Sequence, residues 1–245
     1  AMSGFRFIKW AAELPADAQS FADQFRVNDE GLLVWVGTGN DFTDGETGQL
    51  WGTTSPTIGT ATYNWGMPIT LRDGTGSAAV VKIGDGNPDF RLGFSNSLNW
   101  KNWSLYGLLD FQKGGQIYNQ TNQRMYQWGR SADVDQVGKP QELKKPVEYY
   151  IALYAANDPT DYFVEDAGYV KLREMSLRYR FGSRFQSVLS RLGASNASIA
   201  VIGRNLLTFT DYKGYDPDVG GTIVRIDSFD YPRYRTITGS FEITF

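Results

Sequence analysis

Through most of the second half of the chain, apolar and polar positions alternate with a period of two. Phe90, Leu92, Phe94, Leu98 and Trp100 share one face of an extended segment, and Arg91, Gly93, Ser95, Ser97 and Asn99 share the other. After Lys101-Asn102 the pattern restarts with Trp103, Leu105, Gly107, Leu109 and Phe111, which predicts a hairpin whose two-residue turn is flanked by tryptophans. From Tyr169 to Phe181, strict alternation puts Met175, Leu177, Tyr179 and Phe181 on one face but Val170 and Leu172 on the other. That slip near Arg173-Glu174 predicts a bulge, or a strand whose upper part has left its apolar surroundings. Ile199, Val201, Gly203, Leu207 and Phe209 give a further strand, interrupted at Asn205. The last stretch is the strictest: Ile237, Gly239, Phe241, Ile243 and Phe245 oppose Thr236, Thr238, Ser240, Glu242 and Thr244.

In water, a terminal strand of this kind would leave apolar groups at a normally frayed end. A transmembrane barrel strand needs the pattern, with apolar side chains toward lipid, small polar ones toward the lumen and about ten residues per crossing. Antiparallel succession then puts the short connections (Lys101-Asn102 and Gly182 to Asn196) on one side and the long ones on the other. Outer-membrane barrels have this asymmetry of short periplasmic turns and long extracellular loops. The expected extracellular loops are residues 10–89, 113–168 and 210–233, marked by clusters such as TGNDFTDGETG and RDGTG. Near the start, Phe5, Phe7 and Lys9 alternate with Arg6 and Ile8 up to Pro15, as expected for a truncated crossing. Two short helices are expected. One begins at Pro146, with Val147, Tyr150, Ile151 and Tyr154 as its stripe, and stops at Asn157 and Pro159. The other has a Ser183–Gln186 capping box, a stripe of Phe185, Val188, Leu189 and Leu192, and Gly193 past its end.

Composition narrows the chemistry. The 245 residues include no Cys and no His, which removes cysteine nucleophiles, disulfides and Ser-His-Asp triads and leaves zinc only carboxylates. A formal net charge of −3 offers no basic patch to track a phosphate backbone, so nucleic acid is not an expected partner. No run of apolar residues is long enough for a transmembrane helix, a scan that barrel strands escape because half their residues are polar. AMSGFRFIKW lacks a charged segment followed by an apolar one, so no signal peptide is expected there, and an exported chain would be a mature form or a fragment. Asp85, Asn87 and Asp89 have the spacing of the first ligands of a calcium loop, but Phe90 stands where the tight turn needs Gly and Pro88 stiffens the backbone. A Gly-Asp turn is the better reading, no metal or other cofactor is expected, and neither GTGNDF nor GTGSAA completes a phosphate-cradling glycine motif. Carboxylates are numerous, but nothing in the sequence fixes two at the separation glycoside cleavage needs. A non-enzyme is expected.

Several segments resemble a family. IGDGNPDFRLGFSNSLNWKNWSLYGLLDFQKGGQIYN, VEDAGYVKLREMSLRYRF, IGRNLLTFTDYKGYDPDV and YPRYRTITGSFEITF are similar to the C-terminal part of SusC/RagA-type TonB-linked outer-membrane proteins. The resemblance implies an all-β fold: an antiparallel transmembrane β-barrel segment, the last roughly six strands of a roughly 22-stranded barrel, with long extracellular loops and short helices. It further implies a place in the cell outer membrane and TonB-dependent import of a large nutrient, an oligosaccharide or a peptide. The implied partners are outer-membrane lipid, a SusD-type lipoprotein lid, TonB and the barrel-assembly machinery, for which Phe241, Ile243 and Phe245 would be the signal. Tyr118, Trp128, Tyr212 and Tyr215, in the expected loops, are candidates for stacking on substrate or touching the lid, although loop aromatics more often pack their own loops. The rival reading is a secreted, soluble β-sandwich that binds carbohydrate, and a surface adhesin is a third. The apolar faces discriminate: a sandwich buries them in one core, whereas a barrel segment shows them as an outer band.

Overall fold

A computed structural model describes residues 1–47, 50–154, 158–182, 185–221 and 225–245. They form two compact units.

The first unit comprises Ala1–Asp85, Ile117–Val164 and Thr222–Phe229, much of it expected as loop. Its elements are short because its apolar runs are short. Phe25–Val27 pairs antiparallel with Leu33–Trp35. The connection is an Asx turn, in which the Asn28 side-chain oxygen accepts the N–H groups of Glu30 and Leu32 at 3.0 and 2.9 Å. Met2–Phe5 pairs with Val80–Gly84, and Phe7 and Ile8 are fully buried beyond it. The expected truncated crossing is therefore wrong: Phe7 and Ile8 fill a core, which stabilises them more than one face of a frayed strand could.

Helix α1, Gln120–Gln127, starts where Asn119 caps the Asn122 N–H at 2.9 Å. Helix α2, Val147–Tyr154, follows Pro146 as expected, but its buried residues are Tyr149, Tyr150, Leu153 and Tyr154. Val147 and Ile151 of the expected stripe are exposed. The helix is apolar nearly all round, so more than one stripe fits its sequence, and the tyrosine hydroxyls decide between them. Tyr149 donates to Glu30 at 2.8 Å and accepts from the Asn28 amide at 2.8 Å, while Tyr162 donates to the same carboxylate at 2.9 Å. Burial and the Glu30 charge both raise the Tyr149 hydroxyl pKa, which keeps it a neutral donor. The expected helix stop Asn157 lies outside the described residues. The core also holds Leu33, Val34, Val36, Trp65, Tyr126 and Phe163.

The second unit comprises Gly86–Gln116, Glu165–Gly221 and Asp230–Phe245. It contains β1 (Phe90–Trp100), β2 (Trp103–Lys113), β3 (Tyr169–Arg180), β4 (Asn196–Phe209) and β5 (Thr236–Thr244). Each pairs antiparallel with the next in chain order, so they form one meandering five-stranded sheet with β1 and β5 at its edges. Among the described residues this sheet has five strands, and Met2–Phe5, where a first crossing was expected, pairs with Val80–Gly84 instead. Between β1 and β2, Lys101 adopts φ 54°, while Trp100 and Trp103 face each other across the turn. At the other end of β2, Gly114 and Gly115 both take positive φ (69° and 77°), and a Cβ on Gly114 would lie 2.6 Å from an Asp89 carboxylate oxygen.

Register fixes the faces. Leu98, Leu105, Leu177, Val201 and Gly239 form one cross-strand row, and Leu92, Phe111, Val170 and Phe209 form another. Arg173 is the extra residue of a β-bulge: Leu108 pairs with Glu174, and Leu109 pairs with Leu172. The bulge returns Val170 and Leu172 to the face of Met175 and Leu177, so of the two explanations for the phase slip the bulge is correct. Among the described residues nothing covers this apolar face. Phe94 (56%), Leu98 (61%), Met175 (45%), Val201 (55%) and Phe241 (63%) are among its exposed side chains. Burying one large apolar side chain is worth about 1.5–3 kcal/mol, so a whole face of them requires an apolar medium or a cover. The opposite face carries Ser97, Tyr106, Ser176, Ile202 and Thr238 in one row, and Asn99, Ser104, Arg178, Ala200 and Ser240 in the next.

Candidate functional site

The polar face is most highly charged at the bulge. Looping Arg173 out of the ladder puts its guanidinium beside β2 and the 210–221 segment. It donates to Asp110 through Nε at 2.9 Å and through Nη2 at 2.5 Å, and to Asp218 at 2.7 Å. Two residues earlier, on the same face, the buried Lys171 ammonium donates to Asp216 and stands 3.8 Å from Asp218. Asp216 also caps its own turn, accepting the Asp218 N–H at 2.9 Å. Arg233 reaches Asp218 at 3.4 Å. Burial would raise the Asp218 pKa, but the Arg173 hydrogen bond and the charges of Arg173, Lys171 and Arg233 outweigh it and hold the carboxyl below its ordinary value. A carboxylate so held has no proton to donate near neutral pH, so it serves as a fixed charge.

Beside the network lies an open pocket of about 380 Å³, lined by Lys171, Thr208, Tyr215, Asp216, Arg233 and Arg235 among others. Tyr215 stands on it 81% exposed, whereas Tyr212 is buried at 5% and its N–H donates to Thr210 Oγ1 at 3.1 Å. Within the first unit, Tyr118 is also buried, at 2%, and its hydroxyl accepts the Thr160 N–H at 3.4 Å. Tyr118 and Tyr212 thus pack their own loops and are not free stacking platforms. Trp128 is 55% exposed and stacks on Phe229, with ring centroids 6.0 Å apart and planes 23° from parallel. No pattern in the sequence pairs Trp128 with Phe229. Its φ of 60° is unusual for an aromatic, and its N–H donates to Thr121 Oγ1 at 2.7 Å. Of the calcium-like residues, Asp85 pairs with Lys82 at 2.9 Å and the Asp89 N–H donates to the Lys113 carbonyl at 2.9 Å. At the chain's end, Phe241, Ile243 and Phe245 are 63%, 36% and 83% exposed, and β5 pairs through its length with β4.

A meandering sheet with one exposed apolar face and one polar, charged face has the pattern of a segment of an outer-membrane-type β-barrel wall. No family model matches the chain. It is similar to TonB-dependent receptor P3 of Formosa agariphila, with 29% identity over 185 residues, 71% of this chain and 18% of the relative. It is also similar to TonB-dependent receptor P26 of the same organism, with 24% identity over 179 residues, 68% of this chain and 18% of the relative. A solved structure of the RagAB peptide transporter shares the fold, with a TM-score of 0.53 and 17% identity over 91% of this chain and 22% of that one. In sequence the chain resembles TonB-dependent receptors, and in fold it resembles part of the RagAB transporter, in keeping with a SusC/RagA-type receptor fragment. It spans 18% of the length of the curated relatives named above.

Proposed function

We propose that the chain supplies a stretch of barrel wall and the associated surface loops of an outer-membrane, TonB-dependent importer of a large nutrient, an oligosaccharide or a peptide. The uncovered apolar face carries this reading. Lipid accepts it without a second layer, while the lumen keeps the charged bulge and the Tyr215 pocket. The edges of β1 and β5 pair with further strands of the same barrel, because neither lipid nor water tolerates an open edge. The short turns lie on the periplasmic side. Phe241, Ile243 and Phe245 form the terminal signal for the assembly machinery, a SusD-type lipoprotein covers the loops, and TonB acts on parts of the receptor outside this chain. The chain is non-catalytic, and Trp128 and Tyr215 are the aromatic contacts for substrate or lid. A soluble carbohydrate-binding sandwich is disfavoured, since its second sheet would have to cover a face that stays exposed among the described residues.

Uptake of labelled oligosaccharide and peptide pools by cells tests the proposal. Deleting the receptor that contains this chain should abolish import of one pool, and a protonophore should do the same. Replacing Trp128 and Tyr215 together by Ala should lower that import several-fold at an unchanged outer-membrane level of receptor. Import that persists fully in the deletion strain would refute the transport role.

A further inference from the structure

Helix α3, Gln186–Arg191, lies in the connection between β3 and β4 at the short-turn end of the wall. Its expected capping residue Ser183 lies outside the described residues. At about 100° per residue, Phe185, Val188, Leu189 and Leu192 fall within an arc of about 100°, and Gln186, Ser187, Ser190 and Arg191 fill the rest. Among the described residues only one edge of that arc is covered. Leu189 is buried at 7% against Ala194, Ala197 and Phe181, while Phe185, Val188 and Leu192 remain 45%, 54% and 64% exposed. The helix end is fixed by Gly193 at φ 72° and by the Ala194 N–H donating to the Leu189 carbonyl at 2.9 Å. The return is tied to β5 where the Ser195 N–H donates to the Thr244 carbonyl at 2.7 Å. The apolar arc is therefore held in place and, among the described residues, exposed.

Continuity identifies its cover. A ladder of rings runs from the wall's apolar face onto the helix: Trp103 to Tyr179 (centroids 4.7 Å apart), Tyr179 to Phe181 (5.6 Å) and Phe181 to Phe185 (5.1 Å). Trp103 and Tyr179 belong to the cross-strand row at the β1–β2 turn, where an aromatic girdle meets the headgroups. Nearby, the Lys101 ammonium sits 5.0 Å from the Trp100 ring centroid, and Arg191 lies on the polar side of the helix, exposed. Apolar arc inward, cations and serines outward, and no break from the wall: this is the arrangement of a helix lying in a bilayer interface. We propose that α3 with its flanking Phe185 and Leu192 is an interfacial anchor, seated in the headgroup boundary of the leaflet that meets the short turns. The inference rests on the reading that the apolar face of the sheet meets lipid.

The chain's lack of cysteine allows a direct test. Nitroxide labels are placed singly at Val188, Leu192, Ser187, Ser190 and, as a wall control, Val201, in the intact receptor with any cysteines outside this chain removed. The receptor is reconstituted in phosphatidylethanolamine–phosphatidylglycerol vesicles, and collision with oxygen is compared with collision with a water-soluble nickel chelate. The expected oxygen-to-nickel ratio is several-fold higher at Val188 and Leu192 than at Ser187 and Ser190, at a depth shallower than Val201. If Val201 is lipid-exposed while Val188 and Leu192 match the serines, the anchor is wrong and the wall stands. If Val188 and Leu192 are shielded from both reagents, a protein covers the helix and the anchor is again wrong. If Val201 itself meets water, the membrane reading falls with it.

Discussion

Met175→Arg is expected to destabilise the lipid-inserted receptor by about 2–4 kcal/mol, the cost of a cation at the bilayer midplane on the outer face of a barrel strand. Met175 lies in the central cross-strand row of the apolar face, between Gly107 and Gly203, and is 45% exposed. Neither glycine offers a partner for a guanidinium, so the charge must stay in hydrocarbon or snorkel to an interface. Ser176→Arg, one residue along, points to the polar face between Tyr106 and Ile202 and is expected to cost about 0.5 kcal/mol or less. Reversible urea titration of the receptor in lipid vesicles measures both. Equal costs for the pair would show that the two faces of the sheet do not differ in surroundings.

Arg173→Ala is expected to cost about 2–3 kcal/mol, because it removes the central cation of a partly buried ionic network and leaves Asp110 without its cation and Asp218 with only the more distant Lys171 and Arg233. Asp110 loses both of its bonds to the Arg173 guanidinium, and Asp218 loses its 2.7 Å bond. The Arg173→Ala/Asp218→Asn double variant should regain part of the loss, since it withdraws a carboxylate that has lost its nearest cation. The network also predicts an acid limb. Asp218 has a folded-state pKa below its unfolded one, so the stability it contributes is fully present above the unfolded value of about 3.9 and is lost as pH falls through the folded value. Urea midpoints measured between neutral pH and pH 3 should drop for the native receptor, and the Arg173→Ala variant should show a shallower drop. An unchanged pH profile in the variant would remove Arg173 as the group that holds Asp218 ionised.

The wall was legible because a sheet with one face in an apolar medium writes its period into the sequence. The strands around Leu92, Leu105, Leu177, Val201 and Phe241 were all marked by alternation, and even the bulge appeared as a phase slip. What the slip could not reveal was its consequence. Arg173 is the residue that loops out, and it is bonded to Asp110, 63 positions away, and Asp218, 45 positions away. The loops were illegible for the same reason of distance. Tyr149 and Tyr162 meet Glu30 across 119 and 132 residues, so no local pattern marks their core. In α2 the apolar residues are too evenly spread to select a face, and the stripe through Val147 and Ile151 was the wrong one. Among the loop aromatics, composition could not separate the buried Tyr118 and Tyr212 from the exposed Trp128 and Tyr215, because burial there is decided by long-range packing.

The central claim is that the apolar face of the sheet meets lipid, and depth-resolved quenching by brominated lipids tests it most directly. Single fluorescent labels at Leu105, Leu109, Phe241 and Ile243, in the intact receptor reconstituted in vesicles, are compared with labels at Tyr106 and Ser240 on the opposite face. The account predicts strong quenching of the first four by acyl-chain bromines and little quenching of the last two. Quenching that is equally weak at all six positions would mean that the apolar face is buried against protein, and that the sheet is one layer of a soluble sandwich.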